Sequence, residues 1–323
     1  MQINLLENTA LLRGAVGIEE TENGVALYRM SSELREFFRA DGRFDIRAAC
    51  PSGVRIVFGT DSAFVAMALK FGRAARQVFS TDVIVDGTDC VTFEPETADD
   101  VFFFNAELPG DAVHEVEIVL PALTECWIQD LQVADGAQVF SVLSEGESLL
   151  FLGDSITQGM TVSAPALTWP AQLAAAWESD YVNLAVGATV MRRQVGEMAL
   201  DYEWQTAFVA YGTNDFAGAV PLEAFRAETA GVLEALSRRE GAVIYLITPL
   251  VRLDGLERNE AGLTLADYRH ALTEVAAAFP AARVIDGERL LPADAKYFCD
   301  GLHPNDDGMT LLAEAVDREI AAL

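Results

Sequence analysis

A regular alternation of strand-like and helix-like segments, beginning near residue 148, most constrains how this chain folds. Short apolar runs end at Gly153, Val186, Tyr211, Ile247 and Ile285. Helical patterns lie between or after them, over about 168–178, 222–238, 264–279 and 306–321. This alternation predicts a parallel sheet covered by helices. Ligands of such sheets bind at the carboxyl ends of the strands, so side chains just beyond those ends are candidate site residues.

The region ahead of the alternation has a different pattern. Strand-like runs separated by turn signals occur at 54–58, 63–69, 83–87 and 115–120, with no clear long helix. Segment 30–40 fits a short helix or a loop. Short strands at this spacing predict a β-sandwich. We therefore predict a jelly-roll-like β-sandwich domain over 1–140 and an α/β domain over 147–323, with the crossing between 135 and 148.

The net charge of the chain limits the kinds of molecule that it can bind. The net charge is −28, with lysine only at Lys70 and Lys296, and such a surface repels nucleic acid and anionic membranes. No apolar run reaches the roughly 18 residues that span a bilayer. The first residues, Met1–Glu7, have no basic leader, which predicts a cytoplasmic location. The expected partner is a small molecule, and the oligomeric state is left open.

Four cysteines, at positions 50, 90, 126 and 299, show neither a Cys-x-x-Cys spacing nor a cluster of metal-ligand type. They are expected to be reduced and mostly buried. Cys299 lies beside a candidate catalytic loop, but no separate base accompanies it. The sequence thus predicts neither a metal nor an organic cofactor.

The polar residues beyond the strand ends include a serine, Ser155, and a histidine, His303. A serine hydroxyl is a poor nucleophile unless a base takes its proton, and histidine is the usual base. Of the other two histidines, His114 lies in a strand pattern and His270 lies off the apolar face of a helix. His303 lies on a loop with Asp300 three residues earlier. Ser155, His303 and Asp300 are therefore the candidate catalytic residues.

Four sequence blocks, from about residue 148 to the end, resemble those of the SGNH hydrolases, also called the GDSL esterase/lipase family. The blocks are Gly153-Asp154-Ser155, Asn183-Leu184-Ala185-Val186-Gly187, Gly212-Thr213-Asn214-Asp215 and Asp300-Gly301-Leu302-His303. The resemblance implies a three-layer α/β/α domain with Ser155 as nucleophile. It also implies an oxyanion hole formed by the N–H groups of Ser155 and Gly187 and the Asn214 amide. Asp154 is expected to hold the turn through hydrogen bonds to the backbone.

A β-sandwich ahead of such a domain is similar to the arrangement in some carbohydrate acetyl esterases. That likeness implies a serine esterase acting on short, acetyl-type esters of a soluble, sugar-like alcohol. The alternatives are a lipase, lysophospholipase or thioesterase with the same residues, and, more remotely, a non-catalytic carbohydrate-binding protein.

The four sequence blocks do not determine which residues line the substrate pocket. The candidates near the motif loops are Met160, Trp169, Met191, Arg192, Arg193, Trp204 and Phe216. In the first domain, Tyr28 and Trp127 lie in strand-like surroundings and are interpreted as core residues. That domain is therefore expected to be a structural partner of the catalytic one.

Overall fold

The computed structural model describes residues 1–98, 101–110, 112–144 and 146–323. The chain divides into two compact units, Met1–Glu145 with Ser163–Ala166, and Gly146–Val162 with Leu167–Leu323. We call them the N-terminal and C-terminal units. Glu145, inside the predicted crossing, lies outside the described residues.

The N-terminal unit is built from antiparallel strands and two short helices. In chain order these are β1 (Leu12–Arg13), β2 (Gly17–Thr21), β3 (Gly24–Tyr28), α1 (Ser32–Arg39), α2 (Gly42–Ala49), β4 (Arg55–Thr60), β5 (Phe64–Ala74), β6 (Thr81–Val85), β7 (Asp89–Phe93), β8 (Phe102–Glu107), β9 (His114–Val119), β10 (Thr124–Val133) and β11 (Val139–Phe140). One sheet has the order β1-β4-β9-β6-β7, with β11 also paired to β4, and the other has the order β2-β3-β10-β5-β8. The predicted β-sandwich is confirmed.

Alternation along the strands explains why two sheets form one core. On β5, Val65, Met67 and Leu69 are buried in the same apolar cluster as Ile56 and Phe58 of β4. Successive side chains of a strand point to opposite faces, so each sheet presents one apolar face. Burying a large aliphatic or aromatic side chain stabilises a fold by about 1.5–3 kcal/mol.

Segment 30–40, which the sequence left as helix or loop, contains helix α1. The Ser31 side chain accepts the Leu34 amide hydrogen and caps the helix. Leu34 and Phe38, four residues apart, bury one face of it. The following helix, α2, was not predicted; it is only 8 residues long, too short for a clear apolar period.

The C-terminal unit is a five-stranded parallel sheet with helices. In chain order it contains β12 (Ser148–Gly153), α3 (Ser155–Gln158), α4 (Trp169–Ala176), β13 (Asp180–Asn183), α5 (Arg193–Met198), β14 (Thr206–Ala210), α6 (Thr213–Ala217), α7 (Leu222–Leu236), β15 (Val243–Ile247), α8 (Leu265–Ala276), β16 (Ala282–Ile285) and α9 (Asp306–Ala321). The sheet order is β13-β12-β14-β15-β16. The predicted α/β class is confirmed.

The strand order places a crevice beside β12. After β12 the chain adds β13 on one side and then crosses to add β14 on the other. The loops after β12 and β14 therefore leave in opposite directions, and ligands bind at such a switch point. Ser155 follows β12 and Asn214 follows β14, so both lie at this point.

One strand end differs from the prediction. The sequence placed it at Val186, but β13 ends at Asn183. The Asn183 side chain donates to Thr157 O at 2.9 Å and accepts the Ala185 amide hydrogen at 3.0 Å. Beyond it, Leu184 N still donates to Phe151 O at 2.9 Å and Val186 N to Gly153 O at 3.0 Å, so hydrogen bonding to β12 continues to Val186. Within the described ranges, no helix is long and apolar enough to cross a membrane.

Candidate active site

The turn after β12 fixes the position of Ser155. Asp154 caps α3, and its Oδ1 accepts the Ile156 amide hydrogen at 3.0 Å, as the sequence predicted for a turn-holding residue. A Cβ atom on Gly153 would lie 2.4 Å from Thr157 Oγ1, so a side chain does not fit there. Gly159, with φ 88°, ends the helix in the left-handed region. Ser155 is thus held at the start of a single helical turn.

Ser155, His303 and Asp300 come together although the sequence separates them widely. Ser155 Oγ lies 2.8 Å from His303 Nε2, and His303 Nδ1 lies 2.8 Å from Asp300 Oδ2. With the ring proton on Nδ1, His303 donates to the carboxylate, and Nε2 is free to accept from the serine hydroxyl. This is the arrangement in which an imidazole takes a proton from serine.

The loop that carries His303 is fixed from both sides. Asp300 Oδ1 accepts the amide hydrogens of Leu302 at 3.0 Å and of His303 at 2.8 Å. Burial raises the pKa of the Asp300 carboxyl, but the hydrogen bonds from His303 and Leu302 outweigh it, so the pKa is lowered overall. Gly301, with φ 76°, approaches the backbone of Leu253 and Asp254 so closely that a Cβ atom would lie 2.9 Å from the Asp254 nitrogen. Asp300 therefore stays ionised and His303 keeps its orientation.

The other two histidines take no part in this cluster. His114, at the start of β9, contacts Asp86 Oδ2 at 2.7 Å and Pro109 O at 2.6 Å. His270 is exposed on α8 and pairs with Glu274. Cys299 is an exposed free thiol whose pKa is raised by partial burial and by nearby Asp300, so it is not activated as a nucleophile.

The structure places the Gly187 amide in a buried hydrogen bond. The amide hydrogen donates to Gln158 Oε1 at 2.8 Å, so this donor already has an acceptor. The next residue, Ala188, is exposed and has φ 66°, a left-handed conformation unusual for a residue with a side chain. Within the part of the chain that the structure describes, the Ala188 amide has no hydrogen-bond acceptor. Sequence analysis did not single out Ala188.

Asn214 is where the sequence predicted it, at the start of α6. Its Nδ2 donates to Thr189 O at 3.0 Å, which leaves the second hydrogen of the amide for a ligand. The neighbouring Asp215 accepts the Met191 amide hydrogen with both carboxylate oxygens, at 3.1 and 3.2 Å. Asn214 and Asp215 together hold the loop that carries Ala188.

Two buried carboxyl groups lie near the catalytic cluster. Burial raises the pKa of Asp154 to about 6, although the Ile156 amide and the charges of His303 and Arg252 oppose it. Burial also raises the pKa of Asp215 to about 7, against the Met191 amide, and the charge of Asp154 raises it further. The carboxylates therefore resist ionising together.

Most of the candidate pocket residues belong to the core instead. Met160, Trp169, Met191, Trp204 and Phe216 are all buried. Arg193 forms an ion pair with Glu228. Of the seven candidates, only Arg192 is exposed and without an ion pair in the described ranges. Sequence analysis did not name Arg252 among the candidates. Its Nη1 donates to Thr213 Oγ1 at 3.0 Å and to Thr213 O at 3.1 Å.

No group of three or more His, Cys, Asp or Glu side chains that could hold a metal ion occurs among the described residues. The cluster of Ser155, His303 and Asp300 can perform acyl-transfer chemistry directly. The proton of Ser155 Oγ can pass to His303 Nε2, and the resulting nucleophile can attack.

Two family profiles match the sequence. That of the GDSL-like lipase/acylhydrolase family matches residues 151–311, and that of the SsfX3 N-terminal domain matches residues 11–129. No curated protein matches significantly.

Several solved structures are similar. The salicylyl-acyltransferase SsfX3 of a tetracycline biosynthetic pathway is 23% identical, with 96% of this chain and 94% of that chain covered and a TM-score of 0.85. A family two carbohydrate esterase from Cellvibrio japonicus is 14% identical, with 96% and 94% covered and a TM-score of 0.65. The family two carbohydrate esterase from Clostridium thermocellum in complex with cellohexaose is 14% identical, with 87% and 97% covered and a TM-score of 0.63. At these identities the likeness concerns the fold.

Proposed function

The chain belongs to the GDSL-like lipase/acylhydrolase family, and on that premise we propose that it is a serine esterase that works through an acyl-enzyme. The observation that carries the proposal is the pair of 2.8 Å contacts that join Ser155 Oγ to His303 Nε2 and His303 Nδ1 to Asp300 Oδ2. Such a chain activates a serine hydroxyl at neutral pH.

In the first step, Ser155 Oγ attacks the ester carbonyl carbon while His303 Nε2 accepts the hydroxyl proton. The carbonyl oxygen becomes an oxyanion, and Asp300 stabilises the imidazolium that forms. The tetrahedral intermediate collapses, and the C–O bond to the alcohol breaks. His303 returns its proton to the leaving alkoxide, which departs as the alcohol.

In the second step, His303 takes a proton from water, and the resulting hydroxide adds to the acyl carbon. The bond to Ser155 Oγ then breaks, the serine recovers a proton from His303, and the acid leaves. Each proton that His303 accepts is returned within the same step. The reaction requires no electron transfer.

For the oxyanion hole we propose the backbone amides of Ser155 and Ala188 and the free Nδ2 hydrogen of Asn214. Ala188 replaces Gly187 in this role because its amide is exposed and uncommitted in the described structure. Donors that are fixed before the charge develops stabilise a transition state without reorganising.

For the substrate we propose a short, acetyl-type ester of a soluble alcohol. The similar solved structures include carbohydrate esterases, and the net charge of −28 disfavours anionic lipid surfaces. The proposed location is the cytoplasm.

A second candidate is acyl transfer. It is favoured by the match of the SsfX3 N-terminal profile to residues 11–129 and by the similarity of the SsfX3 acyltransferase structure over 96% of this chain. Transfer shares the first step, but an alcohol replaces water in the second. Product analysis after reaction of an acetyl ester, with and without an added alcohol, separates the two.

Rates with p-nitrophenyl acetate through p-nitrophenyl palmitate, and acetate release from acetylated sugars, test the main proposal. We expect acetyl esters to react fastest. Ser155→Ala should lower kcat roughly 10⁴–10⁶-fold, and a fluorophosphonate should label Ser155 alone. Label on another residue, or activity that survives in the variant, would refute the serine mechanism; a preference for long acyl chains would indicate a lipase.

A further inference from the structure

The short helix α6 carries Asn214, one of the proposed oxyanion donors. It has only five residues, Thr213–Ala217, and Gly212, with φ 115°, precedes it and has no side chain that could cap its first turn. A helix of this length is not stable by itself and keeps its place through contacts with its surroundings. The position of Asn214 therefore depends on the residues that hold α6.

Two loops contact the start of α6. The loop after β13 accepts the Asn214 Nδ2 hydrogen at Thr189 O, at 3.0 Å. The loop after β15 contributes Arg252, whose Nη1 donates to Thr213 Oγ1 at 3.0 Å and to Thr213 O at 3.1 Å. Arg252 thus binds the residue directly before the proposed oxyanion donor.

The guanidinium group of Arg252 is itself fixed in place. Its Nε lies 3.2 Å from Asp254 Oδ1, and its Nη2 donates to Asp254 Oδ2. Only 8% of the Arg252 side chain is exposed, and its Cζ lies 5.4 Å from the centre of the Phe216 ring. A guanidinium that is buried, stacked and bound to a carboxylate through two nitrogens has little freedom to move.

The backbone beside Arg252 is also fixed. Leu253 N donates to Gly301 O at 2.6 Å, and Gly301 lies in the loop that carries His303. Segment 252–254 therefore joins three loops at the carboxyl edge of the parallel sheet, those after β14, β15 and β16. Thr213 is held by a support that is itself anchored to the catalytic loop.

We infer that Arg252 is a positioning residue for the oxyanion hole: it holds Thr213 and thereby sets the position of the free Nδ2 hydrogen of Asn214. This inference rests on the proposed esterase function. Displacing a group that acts on the transition state by about 1 Å lowers the rate by up to about 10²-fold. Lysine does not replace arginine here, because one ammonium group cannot bind both carboxylate oxygens of Asp254 and reach Thr213 as well.

The test compares Arg252→Met with wild type in the hydrolysis of p-nitrophenyl acetate. Methionine retains an unbranched apolar stem but donates no hydrogen bond. We expect kcat per active site to fall about 10–10²-fold with little change in KM, because the displaced donor acts on charge that develops in the transition state. Active sites are counted by labelling Ser155 to completion with a fluorophosphonate, so that a loss of folded protein is not mistaken for a loss of rate.

A double-mutant cycle separates positioning from a general structural role. If Arg252 acts through Asn214, Arg252→Met should lower kcat by about twofold or less once Asn214 is already alanine. A general loss of structure would lower kcat by the same factor in both backgrounds. Thr213→Val removes only the Oγ1 contact of Arg252, so it should show a smaller decrease with the same coupling, and it supplies the measurement if Arg252→Met does not fold.

The matched control is Arg269→Met. Arg269 also binds the loop after β15, donating to Pro249 O at 2.8 Å and to Leu250 O at 3.0 Å. It also pairs with a carboxylate, Glu288, at 2.9 Å. Within the described residues, however, it makes no hydrogen bond to Thr213. This variant should lose stability and retain kcat per active site.

Two results would overturn the inference while leaving the esterase function intact. The first is an unchanged kcat in Arg252→Met and Thr213→Val whose Ser155 is fully labelled. The second is an equal fall in kcat for Arg252→Met in the wild-type and Asn214→Ala backgrounds. A wild type that is not labelled at Ser155, together with activity that survives in Ser155→Ala, would instead overturn the serine mechanism and this inference with it.

Discussion

Gln158 Oε1 accepts the amide hydrogen of Gly187 at 2.8 Å, inside the C-terminal unit. The last residue of the helical turn that begins with Ser155 thus fixes the loop after β13. This bond occupies the Gly187 amide, and the next residue, Ala188, is exposed and has a left-handed conformation.

Gln158→Leu should destabilise the protein and slow the reaction, since it leaves the buried Gly187 amide without an acceptor. We expect the free energy of unfolding to fall by about 1–3 kcal/mol, as for other orphaned buried donors. Urea denaturation and kcat for p-nitrophenyl acetate measure the two effects. Gln172→Leu is the control, because the Gln172 side chain donates to Leu167 O at a half-buried position; an equal loss in both variants would contradict the special role of Gln158.

Replacing single backbone amides by esters should separate Ala188 from Gly187. An α-hydroxy acid at 188 removes the proposed oxyanion donor, and kcat should fall roughly 10²–10³-fold with little change in KM. The same replacement at 187 removes a structural hydrogen bond and should chiefly lower the melting temperature. The reverse pattern would restore Gly187 as the donor.

Asn214→Ala should lower kcat roughly 10²–10³-fold and leave KM nearly unchanged, because the donor acts on charge that develops in the transition state. The matched control is Asn259→Ala, since Asn259 also donates to a backbone carbonyl, Phe216 O, at 3.0 Å. That variant should lose stability and retain kcat. An Asn214 variant with raised KM and normal kcat would identify a substrate-binding role instead.

Asp215→Asn should make stability less dependent on pH. The pKa of Asp215 is raised to about 7 in the folded protein, above its unfolded value of about 3.9. The folded state therefore binds the proton more tightly, and this contribution to stability is present below about pH 4 and is lost as pH rises through about 7. Asparagine never ionises, so the variant should gain melting temperature relative to wild type as pH rises from about 4 to about 7. A constant difference over that range would mean that Asp215 ionises without cost.

Ionisation of Asp215 should also change kcat. A carboxylate that becomes charged beside the oxyanion donors opposes the developing negative charge, so kcat should fall as pH rises through about 7. Asp215→Asn should remove this alkaline decline in kcat. An unchanged profile would show that Asp215 does not act on the transition state.

The fold class and the Ser155–His303–Asp300 cluster could be predicted because their signals are local and repeated. Helix α9 begins and ends where the apolar stripe and Asn305 indicated, and β12 ends at the predicted Gly153. Carboxyl ends of parallel strands meet at one edge of the sheet, so residues far apart in sequence could be placed together.

The details that escaped prediction depend on contacts between loops. Glycine is the residue expected in a left-handed conformation, so nothing in the sequence marks Ala188, whose φ is stabilised by the surrounding structure. The turns α3, α5 and α6 have 4, 6 and 5 residues, too few for a helical period. Phe103 lies in a run of three phenylalanines, where alternation is hidden until the strand register assigns each ring to a face.

The contact between Ser155 and His303 spans 148 residues, since the serine follows the first strand of the parallel sheet and the histidine follows the last. Contacts so distant along the chain form late, because closing long loops is entropically unfavourable until intervening structure is in place. Catalytic competence is therefore a reporter of complete folding of the C-terminal unit. During refolding, esterase activity should return with the slowest phase, after circular dichroism has recovered most of its helical signal.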